Sequence, residues 1–132
     1  MKQTTCIACL LLIGLCLLNV GCENSGAVPV EGTVQYQGTP VEGISLTFSP
    51  QDDSRPSSGS TDESGHFTLM HTIDDMGALP GKHNVTFEWE AASEGEKPSA
   101  EISAILAKHG DGGTPYEVEI TGGVTDLVIN IE

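Results

Sequence analysis

The amino-acid sequence predicts an all-β fold, a seven-stranded antiparallel β-sandwich preceded by a signal-peptide helix. Three observations carry this expectation. Apolar residues recur with a period of two in several short runs, as at Val28, Val30, Val34 and Tyr36, which is the alternation of a half-buried strand. Segments rich in Gly, Pro, Asp and Ser separate these runs at short intervals, the spacing of an antiparallel sandwich. The chain opens on Lys2 and a 13-residue apolar stretch from Cys6 to Leu18, the charged start and apolar middle of a signal peptide.

Val28 to Tyr36 is the first expected strand, with Glu31, Thr33 and Gln35 on the face opposite the apolar residues. Gln37-Gly38-Thr39-Pro40 breaks it, and Ile44, Leu46 and Phe48 resume the alternation, so these two runs are expected to pair as a hairpin. Pro50 to Ser58 has the composition of a loop. Ser60-Thr61 and His66 to Leu69 flank Asp62-Glu63-Ser64-Gly65, where a type I turn with Gly in the left-handed position would close a second hairpin. Leu79-Pro80-Gly81 is a turn before Lys82 to Glu90, in which Val85, Phe87 and Trp89 alternate with Asn84, Thr86 and Glu88. This run is expected to be the central strand. Ala91 to Ala100 is polar and loop-like, and Glu101 to Lys108 is expected to be helical with Ile102, Ile105 and Leu106 facing the core. Tyr116 to Ile120 and Thr125 to Ile131 flank Thr121-Gly122-Gly123-Val124 and are expected to form a closing hairpin.

The chain has 132 residues, room for one domain after a leader is removed. Its formal charge of −14 arises from 19 Asp and Glu against 5 Lys and Arg, and every acidic residue lies at or beyond Glu23. Phosphate backbones need clustered Lys and Arg, so nucleic acid is excluded as a partner. Residues 1–21 are expected to be the signal peptide, too short in its apolar part for a membrane span of about 20 residues. All four cysteines, Cys6, Cys9, Cys16 and Cys22, lie in or at the end of this leader. They therefore imply no disulfide within the domain.

Val20-Gly21-Cys22 resembles the end of a bacterial lipobox, in which small residues precede a cysteine that receives a diacylglycerol on its sulfur. The resemblance implies lipidation of Cys22, residues 22–27 as a lipidated tether, and residues 28–132 as the exported domain. This chain has Asn19 where the pattern usually has Leu, with Leu18 one place earlier. Ordinary cleavage leaving a free Cys22 thiol is the alternative.

The order Val30-Glu31-Gly32-Thr33-Val34, Gly38-Thr39-Pro40-Val41-Glu42-Gly43, Ile44 to Pro50, then Thr61-Asp62-Glu63-Ser64-Gly65-His66-Phe67 resembles the transthyretin-like or carboxypeptidase regulatory-like β-sandwich domain. It is similar in particular to small lipoproteins of that type in planctomycete bacteria. The resemblance rests on turn chemistry and implies a fold, not an activity. Related sandwiches that hydrolyse urate-pathway intermediates carry a tyrosine-arginine-glycine-serine terminus, whereas this chain ends Leu127-Val128-Ile129-Asn130-Ile131-Glu132. Those that oxidise catechols bind iron through two Tyr and two closely spaced His. Here Tyr36 and Tyr116 are present, but no His-x-His.

No Gly-x-Ser-x-Gly elbow exists to present a serine nucleophile, and Arg55 stands alone in a Pro-Ser loop. No catalytic, cofactor or metal site is therefore assigned. His66, His71, His83 and His109 are read as solvated residues at strand edges. Asn84-Val85-Thr86 fits a glycosylation sequon and is read as structural. Trp89 is read as a core aromatic, with an exposed sugar-stacking platform as the competing reading. Asp52-Asp53, Asp62-Glu63 and Asp111 lie in expected turns, and their convergence at one end of the domain would suit Ca²⁺; solvated turn residues are the preferred reading.

The expected function is that of an exported cell-envelope protein, held to a membrane by a lipid anchor, whose non-catalytic domain is a structural or interaction module for envelope proteins or glycans. A small ligand-binding domain for calcium or carbohydrate is the alternative, and an enzyme the least favoured. The expected location is periplasmic or at the cell surface.

Overall fold

The computed structural model describes residues 25–132, so the leader and Cys22 lie outside the described residues. The described chain is mostly β, with ten strands in two sheets and one short helix. The strands are β1 (Val30–Tyr36), β2 (Thr39–Pro40), β3 (Ser45–Pro50), β4 (Ser57–Ser60), β5 (His66–Thr68), β6 (Met70–Thr72), β7 (Asp75–Met76), β8 (Gly81–Glu88), β9 (Tyr116–Ile120) and β10 (Val124–Ile131); helix α1 spans Ala100–His109. In the smaller sheet β1 is central, with β10 on one side and β2 and β5 on the other. The larger sheet has the order β7-β6-β4-β3-β8-β9.

The alternation read from the sequence places side chains on the expected faces. Val30, Val34, Leu46, Phe48, Val85 and Phe87 are buried, and both sheets feed one core that also takes Phe67, Ile120, Ile129 and Ile131. Helix α1 starts where the Ser99 hydroxyl accepts from the Ile102 backbone N–H at 3.2 Å, satisfying a donor that the first helical turn leaves free. Ile102 and Ile105 are buried and Leu106 packs beside them, the face the sequence reading expected.

Seven strands are expected, and ten are found among the described residues. Two of the additions are the two-residue strands β2 and β7. The third comes from the chain at Leu69, which crosses between sheets: His66–Thr68 pairs with β1, whereas Met70–Thr72 pairs with β4 and β7. Three expected hairpins are also corrected. After Tyr36 the turn has positive φ at both Gln37 and Gly38 (50° and 81°), the signature of a type I′ turn. It closes on β2, and β3 then joins the other sheet. The Asp62–Gly65 turn forms with Gly65 at φ 74°, but β4 and β5, on its two sides, belong to different sheets. The expected closing hairpin is likewise divided, since β9 pairs with β8 while β10 runs parallel to β1. That parallel ladder departs from the all-antiparallel expectation. A period of two reports which face is buried and is identical for strands of either sheet, so it is silent on pairing partners.

The register defines two ends of the larger sheet. At one end Ser45 sits between Ser60 and Glu88; at the other Pro50 is opposite His83 and Phe48 opposite Ser57. Trp89 follows Glu88 at the first end. The β6–β7 hairpin, running antiparallel to β4 from the Ser58–Met70 pair, turns at the second.

Candidate functional site: the Trp89 concavity

Trp89 continues the alternation of β8 but stands one residue past its end, half-buried and packed against the core. Its side chain lines a concavity of about 560 Å³ assembled from three elements. The chain after the Gln37-Gly38 turn brings Pro40 and Glu42; the loop before α1 brings Glu96 and Lys97; the first turn of α1 brings Ser99, Glu101 and Ile102. The loop is held by Glu96, whose carboxylate accepts from the backbone N–H groups of Ala92 (2.7 Å) and Ser93 (3.2 Å). Trp89 also lines a second hollow of about 440 Å³ with Glu88, Glu90, Leu106 and Asp111. One indole therefore forms a wall between two hollows, both bordered by carboxylates.

This arrangement suits a ligand with an apolar face for the ring and hydroxyl or cationic groups for the carboxylates. Three glutamates against one lysine disfavour an anion. A larger hollow of about 670 Å³ on the other face of the six-stranded sheet is lined by Ser45, Thr47, Ser58, Ser60, His66 and Glu88 among others, without a Trp, Tyr or Phe.

The structure corrects the reading of the histidines. His71, His83 and His109 are buried, and each ring has exchanged water for protein partners. The Ser57 hydroxyl lies 3.0 Å from His71 Nδ1 across β4 and β6. His83 donates from Nε2 to the Leu79 carbonyl at 2.7 Å and leaves Nδ1 buried without a partner. His109 donates from Nδ1 to the Thr114 carbonyl at 2.6 Å and meets Tyr116 edge-on. His66 is half-buried at the start of β5. The Ser57–His71 pair escaped sequence reasoning because its members are 14 residues apart in an expected loop and beyond an expected strand. Both are too enclosed to meet a substrate, and neither lines the hollows described above.

The acidic turns do not converge. Asp52-Asp53 and Asp62-Glu63 stand beyond opposite ends of β4, and Asp111 follows α1. Among the described residues no group of three or more His, Cys, Asp or Glu is arranged to hold a metal ion. The turns at Asp52 and Asp62 are each built on their own carboxylate instead. Asp62 Oδ1 accepts from the Ser64 hydroxyl (2.7 Å), the Ser64 N–H (2.9 Å) and the His66 N–H (3.0 Å). Hydrogen bonds from Ser64, the side chain first, then from the His66 backbone hold the Asp62 carboxyl below its ordinary value. Asp52 is lowered in the same way by Ser54. Asn84, opposite Ser49 in the β3–β8 ladder, accepts from Gln51 Nε2 at 3.0 Å just past the end of β3.

Compared with protein-family models, curated proteins and solved structures, the chain matches none.

Proposed function

We propose that this chain is an exported, non-catalytic envelope protein, anchored through lipid on Cys22, whose domain is a transthyretin-like β-sandwich that binds glycans at the Trp89 concavity. The observation that carries the reading is the placement of Trp89. Its packing against the core fixes the ring, and the remaining face borders an open hollow edged by Glu42, Glu96 and Glu101. A rigid aromatic offers sugar C–H faces a stacking surface at little loss of conformational freedom, and carboxylates accept the hydroxyls around them. The finer fold assignment draws support from two sheets sharing one core and from turn chemistry at Gln37-Gly38 and Asp62 to Gly65. The enclosure of Ser57 and His71 keeps that pair from a substrate.

Trp89 is the sole tryptophan, so its fluorescence reports on the site directly. Titration of the protein with a panel of neutral oligosaccharides is expected to give a saturable emission shift for at least one of them, with matching calorimetric heats that vanish in Trp89→Ala. A flat response across the panel refutes glycan binding.

A further inference from the structure

Among the described residues four large hydrophobic side chains are exposed, and three of them lie within seven residues on the β6–β7 hairpin: Met70 (46 %), Ile73 (89 %) and Met76 (47 %). Met70 and Met76 are opposite each other in the ladder, so their side chains share a face, and Ile73 stands at the turn beyond them. Single exposed apolar residues are commonplace; a cluster at a hairpin tip calls for an occupant.

The path of the tether names it. Val28 bridges Ala78 just after the hairpin through paired backbone hydrogen bonds, Val28 N–H to Ala78 carbonyl (2.8 Å) and Ala78 N–H to Val28 carbonyl (3.0 Å). Gly77, at φ 108°, brings the two backbones so close that an added Cβ would stand 1.8 Å from the Val28 carbonyl oxygen. Further out, the Ser25 hydroxyl donates to the Asp75 carboxylate in β7. Cys22 is three residues before Ser25, a reach of roughly 10 Å at full extension. A lipid on Cys22 therefore delivers its membrane to the one hairpin that presents Ile73, Met70 and Met76.

We propose that the β6–β7 hairpin is a membrane-contact element, resting Ile73 and its neighbouring methionines on the leaflet that holds the Cys22 lipid. This inference rests on the anchored reading above. Asp74 and Asp75 directly follow Ile73 and keep the contact in the interface, and the domain's negative charge gives it no electrostatic attraction to a bilayer. The contact thus depends on the high local concentration that the anchor provides. It also orients the molecule: the hairpin turns at one end of the larger sheet and Trp89 lies at the other, so the concavity points away from the membrane.

The test uses the mature acylated protein, which begins at Cys22 and so lacks the leader cysteines, carrying Ile73→Cys labelled with an environment-sensitive fluorophore and reconstituted into phosphatidylcholine vesicles, with Glu94→Cys in the exposed loop near Trp89 as the distal site. The expected result is a blue shift at position 73 together with at least twofold quenching by spin-labelled lipid, neither at position 94, and no change at position 73 in unacylated Cys22→Ser protein. Sedimentation with the vesicles without quenching at 73 overturns the hairpin contact and leaves the anchor intact. A blue shift without lipid quenching, the mark of a protein partner or a second copy, overturns it too. Failure of the wild-type protein to sediment overturns both readings.

Discussion

Gly32 on β1 and Leu127 on β10 are in register across the parallel ladder, and the Leu127 carbonyl oxygen lies 2.2 Å from where a Cβ on Gly32 would stand. No side chain fits there without moving backbone. Gly32→Ala is expected to destabilise the domain by about 1–3 kcal/mol, lowering the thermal midpoint by roughly 4–8 °C per kcal/mol for a domain of this size. Gly122→Ala, with open space around it, is the control and should change little. A Gly32→Ala protein as stable as wild type would contradict the β1–β10 register.

The Asp62 turn makes stability depend on pH in a definite direction. Its hydrogen bonds favour the ionised carboxylate, so the folded state holds its proton less tightly than the unfolded chain, whose Asp titrates near 3.9. The contribution is complete above that value and is lost as pH falls through the lower folded-state value. Asp62→Asn is expected to melt below wild type at pH 7, with the gap narrowing towards pH 3. Thermal melts of both proteins across that range provide the check, and a gap independent of pH would mean that the charge has no part in holding the turn.

Ser57 and His71 should behave as a coupled pair. Ser57→Ala leaves a buried imidazole nitrogen without its partner, at a cost of about 1–3 kcal/mol. In urea unfolding, the loss from Ser57→Ala/His71→Leu is expected to fall short of the summed single losses by more than about 0.5 kcal/mol. Additive losses would indicate that the two groups do not interact.

Acylation of Cys22 is read by labelled palmitate, which is expected to enter the wild type and not Cys22→Ser, with the variant released to the soluble fraction. Equal labelling of the two proteins rules out Cys22 as the acceptor.

Burial was readable from the sequence to a greater depth than connectivity. The faces of β1, β3 and β8 follow from alternation alone, as Val34, Phe48 and Phe87 illustrate, and α1 from the spacing of Ile102 and Ile105. The sheet to which each strand belongs was not readable, because Phe48 and Phe67 are both buried in one core, 6.1 Å apart by ring centroids, yet sit in different sheets. Trp89 illustrates the same limit at the site. Its parity with Phe87 identifies the inward face, but whether a residue at a strand end is covered depends on loops that arrive from residues 40–42 and 96–102. The buried histidines were misread because imidazole is compatible with either environment. The carbonyls of Leu79 and Thr114 that make burial of His83 and His109 tolerable become neighbours of the rings only in the folded chain.

The parallel pairing of β1 with β10 has a kinetic consequence. Residues 30–36 have no partner on that side until residues 124–131 arrive from the far end of the chain, and contacts between such distant segments form late because the intervening loop must first be ordered. A chain released vectorially, from a ribosome or through a translocon, would pass through a stage in which β1 offers an open strand edge to any extended segment nearby. Truncation before Val124 would make that stage permanent, turning the central strand of the smaller sheet into a nucleus for aggregation.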